Sequence, residues 1–288
     1  MQLLLNRYKY SNDDLIGKGG FSNVYKGYDI KTDNYIAIKI DNKIKYNKKE
    51  AQIYKKINKF KYMAKHIDYF ELNKRSYLIM PLYYKSSDKI FKINHDFFNE
   101  KDVLMLGIQI LQQLNYLHKM GILHQDIKPD NFVFDKNENK FKLIDFGLSK
   151  SYLDEDNNHI LFNKNSSRCG TMRYMSTNCH SKYSLSRRDD LISLCYSLIY
   201  LYKKNLPWKN INISNKNKLH SVVKNLKKDF NLNNMDLPSP INFIFNYSIN
   251  LKFNKDPDYN FLIKGFYNYL KLNGMKYDGI WSWDNILK

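Results

Sequence analysis

The chain has 288 residues, 43% hydrophobic and 26% charged, with 47 Lys plus Arg against 28 Asp plus Glu and a formal net charge of +19. This is a globular balance, enough for one large domain or two modest ones, and the basic excess points towards nucleic acid, an anionic membrane or acidic substrates. Three cysteines without metal-binding spacing argue against a disulfide framework or a zinc site, and no apolar stretch exceeds the 12 residues of Leu191 to Tyr202, too few to span a bilayer.

The N-terminal MQLLLNRYKY carries no cleavage-site pattern, so no secretory signal is expected. Residues 16–29 predict two strands around a glycine turn, 35–40 a third, and 66–70 and 77–80 two more. Between the third and fourth, Ala51, Ile53, Tyr54 and Ile57 recur at helical spacing within 48–60. From Asp102 onward helices dominate: Leu104, Ile108, Leu111, Leu114 and His118 fall at three- and four-residue steps. Residues 190–202 are apolar nearly all round, as in a buried helix. The Asn- and Lys-rich stretch 205–218 reads as a loop, followed by helices at 219–228, 241–251 and 259–272. A small strand-rich half therefore precedes a larger helical half.

The turn Gly17-Lys18-Gly19-Gly20-Phe21-Ser22-Asn23-Val24 lies between the first two strands. Glycines there let the backbone approach a phosphate and present N–H groups to it, although a Gly-rich hairpin can equally be only a turn. Lys39 alternates to the strand face opposite Ile38 and Ile40. It is either a solvated lysine or a cation for α- and β-phosphates, with Glu50 placed to hold it from the following helix. The strongest signal is His124-Gln125-Asp126-Ile127-Lys128-Pro129-Asp130-Asn131, with Asp145-Phe146-Gly147 beginning fourteen residues after Asn131. Phosphoryl transfer needs a carboxylate to orient and receive a hydroxyl proton, oxygen ligands for Mg²⁺, and positive charge over the transition state. Asp126 fits the first need. Asn131 and Asp145 are hard oxygen ligands that fit the second, and Lys128 fits the third.

These motifs resemble those of the eukaryotic-type protein kinases over nearly the whole chain, and several details are similar to the casein kinase 1 family. They are the segment 50–55, the loops 124–132 and 144–148, Gly170-Thr171-Met172-Arg173-Tyr174-Met175-Ser176-Thr177-Asn178, Ser186-Arg187-Arg188-Asp189-Asp190, Leu206-Pro207-Trp208, and Tyr277-Asp278 before Trp281 and Trp283. The resemblance implies an α+β, two-lobed protein kinase fold across 1–288. Residues 1–81 would form a small antiparallel-sheet lobe with one main helix, 82–85 a hinge, and 86–288 a larger, mainly helical lobe. It implies ATP beneath Ile16 to Val24, Met80 as gatekeeper, and adenine bonded to the Pro81 carbonyl and the Tyr83 N–H. Thr171 would brace Asp126 and Lys128. Asp190 would hold the catalytic-loop backbone, unless it only caps its helix.

Gln125 stands where many kinases have an arginine that anchors a phosphorylated activation loop, so such switching is not expected. Ser22 replaces a glycine, and Cys195 stands where a glycine is usual. The lysine two residues after Asp126 resembles serine/threonine kinases. The implied activity is transfer of the ATP γ-phosphate, with Mg²⁺, to serine or threonine of protein substrates. Acidic or phosphate-primed sites would be preferred, through Arg173 and Lys216 or Lys218. Two alternatives are a catalytically weak kinase-fold scaffold with a basic surface and a small-molecule kinase. Against the second stand the Lys128-Pro129 pair and the 170–178 segment. No membrane insertion, no requirement for nucleic acid and an intracellular location are expected. The charge has a further reading: 41 Lys against 6 Arg, with 36 Asn and 3 Ala, follows AT-rich codons and suits drift on a solvated surface.

Overall fold

In the computed structural model, residues 1–20, 22–42, 44–94, 98–232 and 235–284 are described. The chain divides into two compact units, one of residues 1–84 with 144–147, the other of 85–143 and everything from 148 onward. The architecture is α+β, as expected: a small sheet-rich unit and a larger, mainly helical one.

The first unit is a six-stranded antiparallel sheet with one long helix. Its strands are β1 (Gln2–Leu4), β2 (Tyr8–Lys18), β3 (Ser22–Asp29), β4 (Asn34–Asp41), β5 (Asp68–Leu72) and β6 (Arg75–Pro81), ordered β1-β2-β3-β4-β6-β5. Ile36, Ile38 and Ile40 bury one face of β4 among Tyr8, Tyr10, Tyr77 and Ile79. The two-residue period of a strand sends Lys39 to the other face. There α1 (Ile44–Ile57) packs against β4 and β6.

α1 begins four residues earlier than the apolar spacing predicts. Its first turn is anchored by a polar contact, which a hydrophobic pattern does not reveal. Buried Asn47 donates from Nδ2 to the carbonyls of Lys39 and Ser76, both at 3.1 Å. β1 is a further addition to the predicted strands; at three residues it is too short to show an alternating pattern.

The second unit is built on α3 (Glu100–Lys119) and α5 (Arg187–Lys203), with α7 (Ser239–Asn250) and α8 (Tyr259–Leu272) packed on them. α5 is buried along almost its whole length, as its apolar run predicts. α3 and α8 approach closely at Gly107, where a Cβ would lie 2.7 Å from the Phe266 ring. Smaller elements complete the unit: α2 (Ser87–Ile93), β7 (Ile122–Leu123), β8 (Phe132–Asp135), β9 (Lys140–Leu143), β10 (Lys150–Ser151), α4 (Thr177–His180) and α6 (Lys216–Lys228). β7 pairs with β10 and β8 with β9.

The loop expected over 205–218 ends at Asn215. The side chain of Asn215 caps α6 by accepting from the Lys218 N–H at 3.0 Å, so the helix starts inside the polar run. No helix among the described residues is long and apolar enough to cross a membrane.

Candidate active site

In the first unit the candidate residues gather on β4, α1 and the segment 144–147. β4 carries Lys39 opposite Val24 of β3 and Leu78 of β6. Its ammonium donates to Glu50 Oε2 at 2.7 Å and to Asp145 Oδ1 at 2.6 Å. The Phe146 N–H donates to Glu50 Oε1 at 3.2 Å, and the Phe146 ring meets Tyr54 edge to face at 5.0 Å. Lys39 and Glu50 are buried, whereas the Asp145 side chain is 40% exposed. Burial alone would lower the Lys39 pKa. The charges of Asp145 and Glu50 and their hydrogen bonds outweigh it and hold the ammonium above the ordinary lysine value. Burial pushes the Glu50 carboxyl up, with Lys39 opposing. Of the two readings of Lys39, the solvated lysine is therefore excluded: the side chain is buried on this face and two carboxylates hold it.

The glycine-rich turn closes with the Gly19 N–H donating to the Ser22 carbonyl at 2.8 Å. Gly17 and Lys18 pair with Val24 and Asn23 across the hairpin. Ile16 precedes them on β2, Gly20 lies in the turn, and Phe21 falls outside the described residues. Met80, on β6, accepts from the Tyr54 hydroxyl through Sδ at 3.6 Å. Pro81 ends β6 opposite Ile36, and the Tyr83 hydroxyl accepts from the Lys65 N–H at 3.2 Å.

In the second unit Asp126 is the hub. Its Oδ2 meets Lys128 Nζ at 2.7 Å, and its Oδ1 accepts from both the N–H and the hydroxyl of Thr171 at 2.8 Å. Lys128 Nζ also donates to Thr171 Oγ1 at 3.0 Å. Asn131 Nδ2 donates to the Asp126 carbonyl at 2.9 Å, which fixes Oδ1 as the end able to ligate a cation. Gly170 makes this approach of chain to chain possible. Its φ is +84°, and a Cβ there would lie 2.4 Å from the Gln125 carbonyl oxygen.

Asp190 lies inside α5 and is not its cap; Ser186 takes the N-cap position. Its carboxylate accepts from the His124 N–H at 2.7 Å, the Gln125 N–H at 2.9 Å and His118 Nε2 at 2.9 Å. Burial pushes its pKa up, but these hydrogen bonds and the neighbouring imidazoles prevail and hold it below the ordinary value. His118 is itself held by the Tyr259 hydroxyl at Nδ1 and, through its carbonyl, by the Tyr152 hydroxyl at 2.6 Å. A chain of buried polar contacts therefore runs from α8 through α3 and α5 to the loop that presents Asp126.

Two residues that the motifs do not single out tie down the segment after Thr171. Asp189 accepts from the Ser176 hydroxyl at 2.6 Å, Asn178 Nδ2 at 2.9 Å and the Ser186 N–H at 2.8 Å. An Asp three residues after a Ser at a helix start is a legible signal for such a contact. Lys227, on α6, is buried and donates to the carbonyls of Met172 at 2.9 Å and Met175 at 2.6 Å. Nothing distinguishes it in a sequence with 41 lysines. Arg173 lies over the rings of Tyr200 at 5.5 Å and Tyr174 at 5.9 Å. Arg168 reaches the start of α6, donating to Asn217 Oδ1 at 3.0 Å between Lys216 and Lys218.

The donor chemistry fits a nucleotide and its divalent cation. In the first unit Lys39 retains its charge for phosphate and Asp145 offers a hard carboxylate oxygen; in the second unit Asn131 offers a hard amide oxygen, and Mg²⁺ takes few such oxygens from protein when phosphates and water supply the rest. The chain matches the protein kinase domain family over residues 10–263 and belongs to that family.

Proposed function

We propose that the protein is an active serine/threonine protein kinase, similar to casein kinase 1, that transfers the ATP γ-phosphate to protein hydroxyls. The reading rests above all on Asp126, whose two carboxylate oxygens are each held by a donor, Thr171 on one side and Lys128 on the other. A carboxylate so oriented accepts a hydroxyl proton without first having to find its rotamer.

Lys39, held by Glu50, binds the α- and β-phosphates, and the backbone from Ile16 to Val24 covers them. Met80 borders the adenine, with the Pro81 carbonyl and the Tyr83 N–H as its hydrogen-bonding edge. Asn131 and Asp145 ligate Mg²⁺. Bound ATP–Mg²⁺ supplies the transferable phosphoryl group and the charge that neutralises its oxygens. Lys128 stabilises the developing negative charge, and Thr171 keeps Asp126 and Lys128 in register. Residues 1–81, 82–85 and 86–288 act as small lobe, hinge and large lobe.

The preferred substrates carry acidic or phosphorylated residues beside the target hydroxyl. Arg173, with Lys216 or Lys218 at the start of α6, supplies the cations, and Arg168, which donates to Asn217, lies beside those lysines. Gln125 is neutral, so transfer does not wait on phosphorylation of Ser166, Ser167 or Thr171.

Incubation of phosphatase-treated protein with labelled ATP, Mg²⁺ and casein tests the reading. Label on serine or threonine is expected; label on small alcohols alone, or none, contradicts it. Paired peptides with and without an upstream phosphoserine test the preference. The primed peptide should be used better, and Arg173→Ala should remove the difference. Equal use of both peptides by the unmodified enzyme defeats it.

A further inference from the structure

The basic excess is not evenly spread. Residues 43–65 hold nine lysines in 23 residues, nearly three times the density of the whole chain, and no arginine. Their one acidic residue is Glu50, which is buried against Lys39. This short stretch thus carries eight of the chain's 19 net positive charges. Codon bias explains lysine replacing arginine everywhere. It does not explain lysine concentrated here with carboxylates depleted.

The structure turns this charge to one side. Asn47, Glu50, Ala51, Ile53, Tyr54 and Ile57 of α1 are buried, and Lys45, Lys48, Lys55, Lys56 and Lys59 are exposed on and just beyond the same helix. Like charges three or four residues apart on a helix, as Lys45 and Lys48 are on α1, destabilise it slightly. Lys48 reaches Glu71 at 3.6 Å between two exposed side chains, and Lys55 and Lys56 suit the C-terminal turn of the helix, but contacts of this kind are weak and leave most of the cluster without a role in folding.

We infer that the exposed face of α1 and its C-terminal extension is a docking surface for the phosphate backbone of a nucleic acid, bound without regard to base sequence. Three features favour that partner. The cations are all lysines, point charges suited to tracking a polyanion, whereas readers of single carboxylates or phosphoresidues use the arginine fork. The apolar residues of α1 point into the fold, so nothing is left to insert among lipid chains. The surface follows a helix about 20 Å long, a run suited to successive phosphates rather than one anion. This docking is separate from phosphoryl transfer, which needs no nucleic acid.

The test uses the full chain and a fluorescein-labelled single-stranded RNA of mixed sequence, read by anisotropy over a salt series. Gln at Lys45, Lys48, Lys55, Lys56 and Lys59 should weaken binding roughly tenfold or more and flatten the salt dependence by about 0.7 for each phosphate that is no longer neutralised. A control with Gln at the exposed Lys252, Lys255, Lys264, Lys271 and Lys276 changes the charge equally and should shift affinity less than about twofold. In the unmodified protein, RNA should protect the amines of Lys45 to Lys59 from acetylation, a readout independent of how any variant folds. Equal weakening in both variants, no RNA binding or no protection overturns the inference. So does tighter binding to poly-glutamate or to phosphatidylserine vesicles at the same salt.

Discussion

Thr171 grips one oxygen of Asp126 twice, through its backbone N–H and its hydroxyl, each at 2.8 Å. The same hydroxyl oxygen accepts from Lys128. The segment that begins at Gly170 therefore sets the geometry of the proposed base and of the cation beside it.

Thr171→Ala keeps the N–H contact and removes the hydroxyl. A hydrogen bond to a charged group is worth about 1.5–3 kcal/mol, so turnover should fall by one to two powers of ten. The KM for ATP should change little, and Thr171→Ser should restore most of the rate. Steady-state kinetics of the three proteins decide it; an unimpaired Ala variant would remove Thr171 from the site.

Lys39→Met leaves Glu50 buried with its principal cation gone. Breaking a buried pair from one side costs about 3–5 kcal/mol, and the urea midpoint should fall accordingly. Nucleotide affinity should fall with it. Glu50→Gln, which leaves Lys39 paired with the half-exposed Asp145, should be milder. Equal stability of Lys39→Met and the unmodified protein would contradict the burial argument.

Lys227→Met keeps an unbranched side chain of similar length but removes the ammonium, which lies over the Tyr196 and Trp208 rings, and leaves the Met172 and Met175 carbonyls without their donor. Unsatisfied buried groups cost about 1–3 kcal/mol each, here borne by one segment. Amide exchange across residues 172–176 should quicken while exchange in α3 stays slow. Unchanged exchange in that segment would show that Lys227 does not hold it.

Much of this is legible in the sequence, for identifiable reasons. β4, α5 and α8 carry period-2, all-apolar and 3.6-period patterns, and the structure has all three where those patterns predict them. Lys39, Glu50, Asp126, Lys128, Thr171 and Asp190 sit in long motifs, and their side chains do come together in two groups. What the sequence hides is held by contacts distant along the chain. Asn47 supports α1 through carbonyls on two other strands, and Lys227 reaches back 52 residues to Met175. A local pattern carries no trace of either.

Four histidines, His66, His159, His180 and His220, are held below the ordinary value of 6.5, each first by burial. His180 is pushed down to about 2, with the Lys227 charge as second cause. Such groups are neutral in the fold and charge more readily in the unfolded chain. Their contribution is complete above pH 6.5 and is lost progressively as pH falls towards their folded values. Burial raises Asp102 to about 6, which acts in the opposite sense between 3.8 and that value. The urea midpoint should therefore fall most plainly between about pH 7.5 and pH 6, and His180→Gln should flatten the slope. A midpoint that rises on acidification through that interval would contradict it.

The most direct measurement is phosphate transfer by Asp126→Asn, made alongside nucleotide binding by titration calorimetry. Asn keeps the shape of the side chain, and Lys39, Glu50 and Asp145 are untouched. Turnover should drop by at least about 10²-fold while the affinity for ATP with Mg²⁺ stays within a small factor. Transfer at a rate near that of the unmodified protein would show that Asp126 is not the base and that the proposed mechanism is wrong.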